Sequence, residues 1–169
     1  LFRDMTSNKC KHVIMEVSSH ALHQHRTANT SFSSAIFTNL TGDHLDYHQT
    51  MKAYYEAKKT LFSKSLASTG TAIINIDDEY GAKLVNKLPD SGLITYGKSE
   101  KSLCRIIDFK TSINGTDIKL IFNSKELQFH TNLIGEHNVY NICAGISAAY
   151  VSGINLHEIV NIISNTTIT

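Results

Sequence analysis

The sequence predicts an α/β domain: a mostly parallel sheet flanked by helices, with an antiparallel β insertion near residues 103–133. Two observations carry this. Up to Tyr96, short apolar runs alternate with stretches of helical spacing, a pattern that builds parallel strands through right-handed crossovers. From Leu103 to Leu133 the helical spacing stops, and Ile118, Leu120 and Phe122 alternate with polar residues, as do Leu127, Phe129, Thr131 and Leu133.

Element by element, Val13-Ile14-Met15 reads as a buried strand with Glu16 at its carboxyl end. Ser18-Ser19 caps a short helix through Ala21 and Leu22. Ser34 to Phe37 is a second strand, followed by the polar loop from Thr38 to His44. Met51, Tyr54, Tyr55, Lys58, Leu61 and Phe62 share a face of a helix over about residues 50–65. Thr71 to Ile76 is a third strand running into Asp77-Asp78-Glu79. The helix after it carries Tyr80, Leu84, Val85 and Leu88 and stops at Pro89. Leu93 to Tyr96 is a fourth strand. In the insertion, Asn114-Gly115 and Asn123-Ser124 supply hairpin turns. A helix from about Asn138 to Val151, ended by Gly153, and a last amphipathic helix from Leu156 to Ile163 complete the pattern.

Bulk properties exclude several classes of function. At 169 residues, 41% hydrophobic and 18% charged, the chain fits one α/β domain with a sizeable core. A net charge of +1 argues against a nucleic-acid surface. No apolar run approaches membrane-spanning length. The three cysteines are far apart and form no CxxC pair, which suits a reducing compartment. The chain opens on Leu1-Phe2-Arg3-Asp4, without initiator Met or signal segment, and is expected to be an excerpt from a longer protein.

Gly92 to Ser99 satisfies the Walker A pattern letter for letter. A phosphate loop needs flexible residues between its end glycines and a helix opening at Lys-Ser. Leu93-Ile94-Thr95-Tyr96 are β-formers and more strand follows, so the match is false, its amides engaged in a sheet.

Four other segments can carry chemistry. Glu16, at a strand end where open α/β sheets bind ligands, is followed by Ser18, Ser19, Gln24 and Arg26, suited to anions. The alternative is a capped helix with solvated polar residues. Asp43, His44, Asp46 and His48 could ligate a divalent ion, although composition favours a plain polar loop. Lys58 reads as a solvated helix lysine, indistinguishable from Lys59. His137, Asn138 and Asn141 either present amides to a base edge or cap a helix.

Taken together these segments resemble the Mur ligases, and within them the MurE branch. The residues that carry the resemblance are Glu16-Val17-Ser18-Ser19-His20-Ala21-Leu22 with Gln24 and Arg26, Thr38 through His48, Lys58, Asn75-Ile76-Asp77-Asp78, and Gly135 through Asn141. They cover nearly the whole chain, in the family's order.

The resemblance implies that residues 1–169 are the central ATP-binding domain. The family's phosphate loop is then missing upstream, and its N-terminal UDP-binding and C-terminal domains are absent. It further implies Mg2+ held by Glu16, and a second Mg2+ held by His44 and by Lys58 as a carbamate. Ser18, Gln24 and Arg26 would contact UDP-N-acetylmuramoyl dipeptide, and His137, Asn138 and Asn141 would approach the adenine of ATP. The implied reaction adds meso-diaminopimelate or L-lysine to UDP-N-acetylmuramoyl-L-alanyl-D-glutamate through an acyl phosphate, with catalysis by positioning and charge neutralisation. The isolated 169-residue chain would be inactive. The parent protein is expected to be a cytoplasmic monomer of peptidoglycan synthesis, with no nucleic-acid or membrane partner. Rival readings are a folylpolyglutamate synthetase or another Mur ligase, and a non-catalytic muramyl-binding paralogue.

Overall fold

A computed structural model describes residues 2–42 and 45–166. Its centre is one six-stranded sheet in the spatial order β1-β2-β3-β4-β5-β6. The first four strands, β1 (Phe32–Phe37), β2 (Leu66–Asn75), β3 (Leu93–Gly97) and β4 (Cys104–Ser112), pair in parallel. β4, β5 (Gly115–Phe122) and β6 (Lys125–Thr131) form the antiparallel meander. Mostly parallel with an antiparallel end, the sheet matches the fold class that the sequence predicts.

Turn chemistry sets the meander's register. Asn123 and Ser124 both have positive φ, 46° and 67°, as a two-residue hairpin loop with the strands' own twist requires. At Gly115 a Cβ would sit 2.1 Å from the Thr131 carbonyl oxygen, so only glycine lets β5 lie this close to β6.

The described residues form seven α-helices: α1 (Phe2–Ser7), α2 (Ser19–His23), α3 (Leu45–His48), α4 (Met51–Thr60), α5 (Glu79–Val85), α6 (Glu136–Val151) and α7 (Leu156–Asn165). Strand alternation divides the core into two layers. On one side Ala72 and Ile74 pack with Phe37, Tyr54, Tyr55, Phe62 and Leu84. On the other, Ile73, Tyr96 and Phe122 pack with Val139, Ile142 and Ile146 of α6 and Ile159 of α7. Each such fully buried side chain contributes about 1.5–3 kcal/mol. Among the described residues no helix is long and apolar enough to cross a membrane.

Four expectations are corrected. Val13-Ile14-Met15 is not a strand: the segment has no regular structure, and Ile14 is 97% exposed. An apolar run becomes a strand only when a neighbouring strand takes up its amides and carbonyls, and these residues lie outside the sheet's ladder. The helix over residues 50–65 holds only to Thr60, and Leu61–Ser65 is a π-helical turn. There the hydroxyls of Thr60 and Ser63 bond to the Ala57 and Lys59 carbonyls, a side-chain competition that loosens helices. α5 stops at Val85, before Leu88. α6 begins at Glu136, with Gly135 rather than Asn138 in the capping position. The expected helices after Ser18 and Leu156 are present, capped by Ser18 and Asn155.

Candidate active site

The carboxyl ends of β1, β2 and β3 lie side by side, the edge at which open parallel sheets bind ligands. Asn75, the last residue of β2, and Asp77 and Asp78 just after it fasten this edge. Asn75 donates from Nδ2 to the Thr38 carbonyl at 2.8 Å and accepts the Asp77 amide at 3.1 Å. Asp78 caps α5 by accepting from the Tyr80 and Gly81 amides, and its other oxygen accepts the Leu40 amide at 3.1 Å. The loops after β1 and β2 are thereby locked together.

Asp77 does the same for the next pair of elements. It accepts the Lys98 amide at 2.5 Å and the Ser99 amide at 3.2 Å, and the Tyr140 hydroxyl donates to it at 2.8 Å. Burial, then the hydrogen bond to Asp77, raises the Tyr140 phenol above its ordinary range. An ion pair from Lys98 to Glu136 binds the same loop to the start of α6. The false Walker A motif ends here: β3 takes up Leu93 to Gly97, and the Lys98 and Ser99 amides hold a carboxylate of the protein itself. That last detail differs from the expected sheet bonding, because β4 pairs with β3 only at Tyr96 and Gly97.

At the first turn of α6, Asn138 donates to the Ile134 carbonyl at 2.9 Å. The His137 ring lies against Gly135, where φ is 101° and a Cβ would come within 2.9 Å of the ring. Asn141, one turn further, lines an apolar pocket of about 430 Å3 between α6, α7 and β6.

The second group of candidate residues gathers around α2 and α4. Lys58 is half-buried, its ammonium over the Tyr54 ring at 5.9 Å from the centroid. Burial lowers its pKa from the ordinary lysine value, and the nearby Glu16 carboxylate partly offsets that. Glu16 and Lys58, far apart in sequence, thus sense one another's charge.

Between them lies a cluster of rings: His20 is 4.1 Å from Tyr47, His48 is 4.9 Å from Tyr47, and His48 stacks on Tyr54 at 5.1 Å and 9°. Ser18 spends its oxygen accepting the Ala21 amide, Gln24 reaches the Tyr47 hydroxyl at 3.4 Å, and Arg26 is exposed beyond the end of α2. His48, weighed in the sequence as one of two histidines of a metal loop, is buried and bonded to Ser19. His44, like Asp43, lies outside the described residues.

The Mur ligase middle domain family matches residues 1–149. The chain belongs to that family. Similar proteins include the UDP-N-acetylmuramoyl-L-alanyl-D-glutamate–2,6-diaminopimelate ligase of Aquifex aeolicus, 44% identical over 144 residues, which are 85% of this chain and 29% of that protein. The ligase of the same name from Neisseria meningitidis serogroup A is 44% identical over 156 residues, 89% of this chain and 31% of that protein. A solved structure of such a ligase superposes with a TM-score of 0.81 at 31% identity, over 91% of this chain and 32% of that one. A MurF ligase from Thermotoga maritima in complex with ADP shares the fold, with a TM-score of 0.71 at 15% identity over 90% of this chain and 34% of that one. The chain thus spans about 30% of the length of the curated relatives it matches.

Within this Mur ligase domain, the described residues contain no group of three His, Cys, Asp or Glu able to hold a metal by themselves. Mg2+ does not need one. It keeps several waters and is held by one or two carboxylates together with substrate phosphates. Glu16 beside a half-buried Lys58 fits that requirement, because desolvation favours the neutral amine that can take up carbon dioxide and become an oxygen donor. Ser19, Tyr54, Asp77 and Tyr140 appear in the sequence reading only within a cap, a helix face or a motif, and the structure gives each of them a specific contact. Only Tyr54, one helical turn before Lys58, left a local signal.

Proposed function

We propose that this chain is the ATP-handling part of a ligase that joins 2,6-diaminopimelate to UDP-N-acetylmuramoyl-L-alanyl-D-glutamate in peptidoglycan synthesis. The reading rests on Lys58, half-buried over the Tyr54 ring and within reach of the Glu16 charge, in a domain whose relatives carry that ligase name. In this reading ATP phosphorylates the terminal carboxylate of the nucleotide-linked dipeptide. The amine of the incoming amino acid attacks the acyl phosphate, loses its proton, and phosphate leaves as the amide forms.

Mg2+, when bound, neutralises the charge that builds on the transferring phosphoryl group. Glu16 would hold it next to the β- and γ-phosphates. Lys58, as a carbamate, and His44 would hold a second ion. Ser18, Gln24 and Arg26 would bind the muramoyl dipeptide, and His137, Asn138 and Asn141 would face the adenine. Asp77 and Tyr140 hold the first turn of α6 in place for that contact. The parent enzyme would work as a cytoplasmic monomer on small molecules, without nucleic-acid or membrane partners, and the 169-residue chain by itself would not turn over.

The test is ATP-dependent phosphate release by the full-length protein with UDP-N-acetylmuramoyl-L-alanyl-D-glutamate, offered meso-diaminopimelate and L-lysine in parallel. Release with diaminopimelate is expected. Release with lysine alone changes the amino acid. Release with neither, from a folded protein that binds ATP, replaces the reading with another superfamily ligase or a muramyl-binding paralogue.

A further inference from the structure

Resting on that reading of Glu16 and Lys58, we propose that His48 is the positioning residue of the candidate Mg2+ site, setting the distance between α2, which follows Glu16, and α4, which carries Lys58. Glu16 precedes the short helix α2 in a stretch without regular structure, and Lys58 lies in the third turn of α4, whose Tyr54 and Tyr55 are buried in the core. α2 and α3 have five and four residues, too few to hold a geometry on their own. Something between them must fix their spacing.

His48 joins α2, α3 and α4. It is the last residue of α3 and 7% exposed. Its Nε2 lies 2.8 Å from Oγ of Ser19, the first residue of α2, itself 1% exposed. On its flat side the imidazole stacks on Tyr54 of α4, at 5.1 Å and 9°. The Tyr54 ring in turn carries the Lys58 ammonium at 5.9 Å. Tyr54 and Lys58 are four residues apart on one helix face, so a ring that cannot shift holds the lysine stem above it.

A buried polar link of this kind is expensive to leave unmade. A histidine supplies at once a hydrogen bond at its edge and a stacking face. Phenylalanine has only the face, and glutamine only the polar edge. The link is to Lys58 what an outer-shell partner is to a metal ligand. Loss of such partners costs about 10- to 100-fold in metal affinity.

The experiment uses the full-length protein and two readouts besides activity. Mn2+ is titrated in the presence of ADP and followed by electron paramagnetic resonance. The carbamate is followed by carbon NMR in labelled bicarbonate, with Lys58→Arg as the reference that lacks it. His48→Ala is expected to weaken Mn2+ binding about 10-fold or more and to diminish the carbamate resonance. His48→Gln, which keeps the polar edge without the ring, should recover part of the loss, whereas a general packing role would let only His48→Phe recover it. A folded His48→Ala protein with the wild-type Mn2+ affinity and resonance overturns the inference and leaves the reading of Lys58 intact. If His48→Ala does not fold, Ser19→Ala and His48→Phe decide: wild-type values in both overturn it. A wild-type protein indistinguishable from Lys58→Arg in both readouts overturns the reading of the site, and the inference with it.

Discussion

The two flanks of the sheet are built on opposite plans. The β4–β6 meander with α6 and α7 is held by neighbours in sequence: hairpins close through two-residue turns, and a continuous apolar layer covers one face. The flank of α2, α3 and α4 is held by distant partners, Ser19 with His48 and Gln24 with Tyr47, and the loops after β1 and β2 by Asn75 with Thr38 and Asp78 with Leu40. The first flank supplies stability, and the second supplies a place for chemistry. Packing tolerates no water and few charges, so histidines, a lysine and carboxylates collect where the layer is thinner and side chains reach across loops.

The largest expected effect falls on the meander side. Phe122→Ala removes a fully buried ring and should lower stability by about 3–5 kcal/mol, read as a shifted midpoint in denaturant. A loss below about 1 kcal/mol would mean that this layer is not the stabilising one. Next is Asp78→Ala, which removes the α5 cap and the tie to Leu40 together. About 1–2 kcal/mol should go, with faster amide exchange in residues 38–42; unchanged exchange there would break the link between the two loops.

A smaller effect separates the flanks by pH. Burial depresses the Lys58 pKa in the folded chain, so the unfolded chain binds its proton more tightly. The penalty is present below the depressed value and fades as the pH climbs towards the ordinary lysine value of 10.5. In buffer free of carbon dioxide, Lys58→Met should therefore melt higher than the native chain at neutral pH. The advantage should shrink in alkaline buffer. An advantage constant with pH would mean that burial of the charge is not its source.

Smallest is His130 on the meander's exposed face, whose pKa is raised by its hydrogen bond to Asp117 at 2.9 Å. Its contribution is present below the unfolded value and lost as the pH rises through the raised one. His130→Gln should lower the melting temperature slightly near pH 5 and leave it alone near pH 9, a window set around the ordinary value of 6.5. The reverse order would deny the pair.

Legibility in the sequence followed the same division. Alternation at Ile118, Leu120 and Phe122, and the Asn-Ser turn after them, announce the meander because those signals act between near neighbours. Val13 to Met15 misled for the opposite reason, since strand character there depends on a partner that a local pattern cannot name. Lys58 and Lys59 look alike on a helical wheel. Only the Tyr54 ring, stacked on a histidine from another element, marks one of them out.

By itself the sequence determined the fold class, the order of strands from Ser34 to Thr131 with the helices after them, the false phosphate loop, and the residues that ally the chain with the Mur ligases. All of these depend on side-chain identity and spacing along the chain. The tertiary structure alone decided that Lys58 is half-buried over the Tyr54 ring, that Asp77 takes the Lys98 and Ser99 amides, and that His48 is a buried link rather than an open ligand. Those outcomes depend on burial and on contacts between residues 21 to 29 positions apart, where desolvation and hydrogen-bond geometry act only once the sheet has brought the segments together.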